Sequence, residues 1–247
     1  MKKSFLCIIS LLLLGVVASC YAQHHAATTS RKDFLRGLIN FSQDTSFVQV
    51  DSKYTPQRAP FNYLNREAYQ AFIRMWEAAK NDGIKLVMIS GARTFQTQNV
   101  VWARRWNESQ IAAGPGRVKN LLRYSALPGC SRHHWGTDLD LNANRTDYWR
   151  TTDGKKIYQW LCENAHKFGF YQPYSAKGSP GSGLREKGHE EERWHWSYYP
   201  LASVFMKEFE DIMTDEDLKG FAGDKYISSL NIIDNFVLGV APEPTVL

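Results

Sequence analysis

Beyond residue 19 the chain has no apolar run long enough to cross a bilayer, which excludes a multi-span membrane protein. It has no HExxH helix, no GxSxG turn and no serine that opens an SxxK motif. The zincin, α/β-hydrolase and penicillin-sensitive serine mechanisms therefore each lack their signature. A strong charge of one sign is also missing. The formal charge of +5 falls to +3 once Lys2 and Lys3 leave with a leader that carries no acid, too little to argue for nucleic acid. Cysteine is scarce, with four residues at 7, 20, 130 and 162, and no internal repeat is visible.

What is present begins with the leader. Met1, Lys2 and Lys3 precede a charge-free apolar stretch at 4–19, the layout of a secretory signal. Residues 1–22 are expected to hold the signal peptide, cleaved before Cys20 in a lipoprotein or after Ala22 in a soluble form. A lipid on Cys20 is then the sole expected membrane contact, and the body works as a monomer in the periplasm or cell envelope. Export leaves Cys130 and Cys162, which form either a disulfide or two separate thiols. The eight tryptophans read most simply as core filling.

Residues 23–59 read as linker and lead-in, with His24 and His25 solvated, 60–212 as one domain, and 213–247 as a helical extension appended to it. Apolar spacing predicts helices over 64–82, 95–109, 151–169 (capped at Thr152 or Asp153) and 201–213. Strands are expected at 84–90, 136–144 and around 192–199, and "AAGPG" at 112–116 breaks the pattern. The expected class is α+β: a single domain with a small, mostly antiparallel sheet flanked by helices.

The chemistry-bearing residues are scattered. A catalytic zinc takes three ligands from His and Asp/Glu and needs a nearby carboxylate to accept a proton from water. "CSRHHWGTDLDL" (130–141) offers His133 with Asp140, and "EERWHW" (191–196) offers Glu192 with His195. Either half alone is weak, because His–Asp pairs are common as solvated or ion-paired residues.

Together with a third segment the halves become specific. "SRHHWGTDLD" resembles the SxHxxGxxxD motif of VanY-like D-alanyl-D-alanine carboxypeptidases, matching at Ser131, His133, Gly136 and Asp140. "ERWHW" resembles ExWHW at Glu192, Trp194 and His195, and "SGARTFQTQ" resembles SGYRSxxxQ at Ser90, Gly91, Arg93 and Gln98. The superfamily also holds VanX-type dipeptidases, murein endopeptidases and the hedgehog signalling domain. The resemblance implies the hedgehog/D,D-peptidase-like fold and one zinc ion on His133, Asp140 and His195. It implies Glu192 as general base, Arg93 as oxyanion or carboxylate partner, and Gln98, Ser131 and Trp194 as substrate contacts. The implied substrates are peptidoglycan stem peptides ending in D-alanine. Endopeptidase or L,D-carboxypeptidase activity, or a non-catalytic wall-binding module, fits the same residues. His134 and Asp138 fall on variable positions, His134 expected near the metal or at the rim and Asp138 beside the site. His189 is expected to be solvated, and His166 structural or exposed. Ala92, Thr94, Arg132 and Arg193 depart from the pattern beside the cleft.

Overall fold

A computed structural model describes residues 31–56, 62–179 and 184–242; the leader, Cys20, His24 and His25 lie outside them. Strands β1 (Phe47–Gln49) and β2 (Tyr63–Asn65) form a two-stranded ribbon. The main sheet has four short strands, β3 (Met88–Ser90), β4 (Asp138–Leu141), β5 (Phe170–Tyr171) and β6 (His195–Tyr198), in the order β3-β4-β6-β5. Every pairing is antiparallel, so the α+β architecture with an antiparallel sheet stands.

Helices surround it: α1 (Arg66–Asn81), α2 (Phe95–Glu108), α3 (Pro115–Leu121), α4 (Thr152–Asn164) and α5 (Tyr199–Ile212), with residues 31–35 helical as well. Helix α1 buries Ala68, Ala71, Phe72, Met75 and Ala79, a single stripe at helical spacing, and the Asn65 side chain caps it by accepting from Glu67 N. The cap of α4 lies one residue before the expected one: the Thr151 hydroxyl accepts from Gly154 N. Proline is tolerated in a first helical turn, so the "AAGPG" break is itself the start of α3. The strand expected over 84–90 narrows to its last three residues.

Two apolar cores result. The first lies between α1, α4 and one side of the sheet, and includes Phe72, Met75, Leu139, Leu141, Trp149, Trp194 and Trp196. The second gathers Phe34, Leu35, Phe41 and Phe47 from the lead-in, Trp102 from α2, and Trp135. Phe205 and Phe209 from α5 and Leu218, Phe221, Ile232 and Val237 from the tail complete it. The tail is therefore part of the core rather than an appendage. Among its described residues the helical content is short 3₁₀ helices at Asp215–Asp217 and Asp224–Tyr226 and a π-helix at Ile233–Val237. The disulfide alternative fails. Cys130 is buried in the second core and Cys162 sits on the exposed side of α4, both as free thiols.

Candidate metal centre

The candidate residues come together where β4 pairs with β6. Asp140 lies directly opposite His195 in the ladder, and Asp138 opposite Ser197; residues two apart on a strand share a face. His133 arrives from a 3₁₀ turn over Arg132–Trp135 that ends at Gly136. Gly136 has φ of 69°, and a Cβ there would overlap the Phe47 ring, so only glycine permits this approach.

Ligand atoms of His133, Asp140 and His195 all lie within 4.8 Å of one another. Asp140 Oδ1 is 3.4 Å from His133 Nε2 and 3.4 Å from His195 Nδ1. The His133 Nε2 and Asp140 Oδ1 atoms are buried without a hydrogen-bond partner. Buried polar atoms left unpaired are costly, and two of them converging with a third imidazole nitrogen fit a cation. The other imidazole nitrogens are already engaged. His133 Nδ1 donates to Gly91 O at 2.8 Å, and His195 Nε2 is 2.7 Å from Asp138 Oδ2. Partners of this kind fix ring orientation and tautomer in metal sites. Glu192 Oε2 stands 3.4 Å from His195 Nδ1, beside the cluster.

Burial works against charge throughout the site, and pairing overcomes it for three groups. At Asp140, His133, His195 and Arg93 hold the carboxyl well below the usual range. At Asp138, Arg132 and His195 do the same. Burial lowers the pKa of His195, but hydrogen bonds to Asp138, Asp140 and Glu192 outweigh it and keep the ring well above the usual histidine range.

One pattern model, described as D-alanyl-D-alanine carboxypeptidase, matches residues 61–201 under the name VanY. The chain belongs to the VanY family. Among curated relatives, YodJ of Bacillus subtilis is 28% identical over 160 residues, covering 62% of this chain and 53% of that one. The D-alanyl-D-alanine carboxypeptidase of Enterococcus faecalis is 28% identical over 138 residues, covering 53% and 46%. The chain thus spans about half the length of these relatives. A solved structure of VanYB in complex with D-alanine-D-alanine is 20% identical, with a TM-score of 0.49 over 78% of this chain and 93% of that one.

The remaining family-motif residues surround the same cleft, of about 520 Å³, lined by Arg93, Gln98, Ser131, Trp194 and the cluster itself. Three of the five N–H donors of Arg93 are engaged, Nε with Ser90 Oγ (3.0 Å), Nη1 with Gln98 Oε1 (2.9 Å) and Nη2 with Asp140 Oδ2 (2.8 Å). Gln98, nearly fully buried, passes its amide on to Ala126 O.

Two histidines differ from expectation, and a buried ion pair beside the site was not foreseen. His134 is neither ligand nor rim: it is fully buried, its Nδ1 donates to Arg93 O at 2.6 Å and its Nε2 accepts from Gly129 N at 3.0 Å. Burial pushes its pKa down to about 3, so it is a neutral tie between two loops. His189 is buried rather than solvated, edge-on to Tyr174 at 4.8 Å, and walls the cleft. Its neighbours in sequence are Gly and Glu, which gave no sign of burial. Arg132 and Asp138 form a fully buried ion pair at 3.0 Å, with Arg132 also reaching Ser197 Oγ and the Tyr171 hydroxyl. The ion pair thus joins Arg132, a departure from the motif, to Asp138, at one of its variable positions. The adjacent alternation in "TDLD" placed Asp138 on the ligand side, but nothing in the sequence paired it with Arg132.

Proposed function

We propose that the chain is a zinc-dependent D-alanyl-D-alanine carboxypeptidase that trims C-terminal D-alanine from peptidoglycan stem peptides outside the cytoplasm. The observation that carries this reading is the three-ligand cluster of His133, Asp140 and His195 with Glu192 beside it, inside a cleft of peptide size. His133 Nε2, Asp140 Oδ1 and His195 Nδ1 would hold the ion, leaving the further position that a catalytic site keeps open. A zinc ion there supplies Lewis acidity, polarising a carbonyl and making water a better nucleophile at neutral pH.

The protein's own groups do the rest. Glu192 takes a proton from the attacking water and delivers it to the amine of the departing D-alanine as the C–N bond breaks. Asp138 holds the His195 ring through Nε2 and keeps Nδ1 free. Arg93 holds Asp140 through Nη2 and adds positive charge where the carbonyl oxygen becomes an oxyanion. Gln98 and Ser131 contribute polar contacts, and Trp194, whose neighbour His195 is a ligand, contributes an apolar wall.

Muropeptides of defined structure, incubated with the protein and followed by mass spectrometry, test the reading directly. Loss of one C-terminal D-alanine that chelator abolishes is the expected result; cleavage within a cross-link, or of the bond between an L-centre and D-alanine in place of the D-alanyl-D-alanine bond, would replace it with another specificity on the same site. Glu192→Gln should keep zinc and fold while the rate falls ~10²–10⁴-fold, with Glu191→Gln as a nearly silent control. Full activity in Glu192→Gln would remove Glu192 from the mechanism.

A further inference from the structure

The charges around the cleft do not balance. Its lining includes Arg93, Arg104 and Arg105, but the only acidic residues that line it are Asp140 and Glu192, both tied to the candidate metal centre. Neighbouring cations have carboxylate partners: Arg93 with Asp140, Arg132 with Asp138, Arg193 with Glu191, and Arg123 and Lys177 with Glu190. Arg104 and Arg105 have none within ion-pair distance among the described residues.

Their position is regular. Both lie on α2, where Thr97, Gln98, Val101, Arg104 and Arg105 line the cleft, the i, i+3, i+4, i+7 face of one helix. Arg105 is half-buried, and its single hydrogen bond is a long one from Nη1 to Tyr124 O at 3.3 Å. Burial lowers its pKa, while the charge of Glu192 works in the opposite direction. A partly desolvated guanidinium with most donors unspent is disfavoured unless an anion meets it, and its planar fork suits a carboxylate.

We infer that Arg104 and Arg105 form a carboxylate-binding subsite on the α2 wall of the cleft, which selects stem peptides carrying a free carboxylate within reach of the scissile bond. The inference rests on the proposed peptidase reading and extends it to substrate class. Two carboxylates on such a peptide qualify, the C-terminal one and a side-chain carboxylate on the third residue, as in a diaminopimelate-containing stem.

The test uses equilibrium binding, so that it does not depend on turnover. The full zinc-loaded chain carrying Glu192→Gln is titrated with three synthetic pentapeptides. One has a diaminopimelate third residue with both carboxylates free, one has the side-chain carboxylate amidated, and one has the C-terminus amidated. The free peptide should bind about tenfold or more tightly than at least one amide, the scale of a hydrogen-bonded charge pair. Adding Arg104→Gln and Arg105→Gln should erase that gap, and whichever amide loses its disadvantage identifies the carboxylate held. Arg105→Lys, with the charge but not the fork, should keep an intermediate gap, and thermal melting with zinc content checks that each variant is folded and loaded. Equal affinity for all three peptides, or a gap that survives the double change, overturns the subsite. Cleavage by the chain with Glu192 intact is scored separately. An arginine-dependent gap without cleavage overturns the peptidase reading and leaves the subsite standing; cleavage with no gap does the reverse.

Discussion

The two cores differ in where their residues come from. The first is built almost entirely within residues 61–201, the span that matches the VanY family, and it holds β4 and β6 through Leu139, Leu141, Trp194 and Trp196. The second is closed by segments outside that span, the lead-in at 34–47 and the stretch from Phe205 to Val237. The metal-site segment straddles them: Cys130 and Trp135 sink into the second core, while Leu139 and Leu141 sink into the first. Two candidate ligands therefore ride on a sheet held from one side and the third candidate, His133, on a turn held from the other. The difference teaches that the matched family span positions Asp140 and His195, whereas this chain's flanks share in positioning His133.

The comparison breaks most visibly at a large buried side chain. Trp135 is fully buried, donates from Nε1 to Leu35 O at 3.2 Å and packs against Phe205 and Phe209. Trp135→Ala should cost about 3–5 kcal/mol in chemical denaturation, the range for aromatic truncation, and Phe72→Ala in the first core should cost a similar amount. Zinc affinity separates the two: competition with a chelator should show at least a tenfold loss for Trp135→Ala and about none for Phe72→Ala, which lies on α1 and not on a strand or turn that carries a candidate ligand. Equal zinc affinities in both variants would mean that the second core does not reach His133.

His134 sharpens the same contrast one residue away from a ligand. His134→Ala leaves Gly129 N–H and Arg93 C=O without their partner and should cost about 1–3 kcal/mol for each group, yet keep zinc. His133→Ala should keep most stability and lose tight zinc binding. Zinc analysis of the two variants with the opposite outcome would exchange their roles.

Asp138→Asn tests the side held by the sheet. The change keeps the shape but removes the charge opposite Arg132 and weakens the hydrogen bond that orients His195. Zinc affinity should fall ~10–100-fold, the usual effect of losing such a partner. Unchanged affinity in a chelator titration would leave Asp138 as a mere counter-ion of Arg132.

The smallest effect lies at the edge of the second core, where Lys32 of the lead-in meets Asp217 of the tail at 2.8 Å. Burial opposes charge on Asp217, but Lys32 and Thr214 outweigh it and its pKa is lowered. A lowered carboxyl pKa stabilises the fold above the unfolded-state value of about 4, and that stability is lost as pH falls through the folded value. Lys32→Ala should therefore cost under about 1 kcal/mol near neutral pH, with the cost vanishing in acid. Denaturation curves at both ends that differ by the same amount from wild type would dismiss the pair.

The candidate ligands and base were legible as a cluster because reactive positions demand fixed residue types at fixed spacing: His133, Asp140 and His195 come together with Glu192 beside them. The supporting residues were not. Two adjacent histidines look alike on paper, and only the backbone of 91–93 and of Gly129 decides that one faces the metal and the other ties loops together. Arg132 and Asp138 sit six residues apart, and their pairing depends on the turn that folds one over the other. The tail's Leu218, Phe221, Ile232 and Val237 follow no helical or strand period, since 3₁₀ and π turns bury residues irregularly, so their place in a core was invisible. Cys130 and Cys162 satisfied parity, but parity carries no distance.

The second core also has a consequence in time. It joins residues near 40 to residues near 235, so on a ribosome adding ~5–20 residues per second the first partner waits on the order of ten seconds for the last. During that wait the segment carrying His133 has only one of its two supports. Until those last turns close, the candidate metal pocket lacks the support that the second core gives to the turn carrying His133.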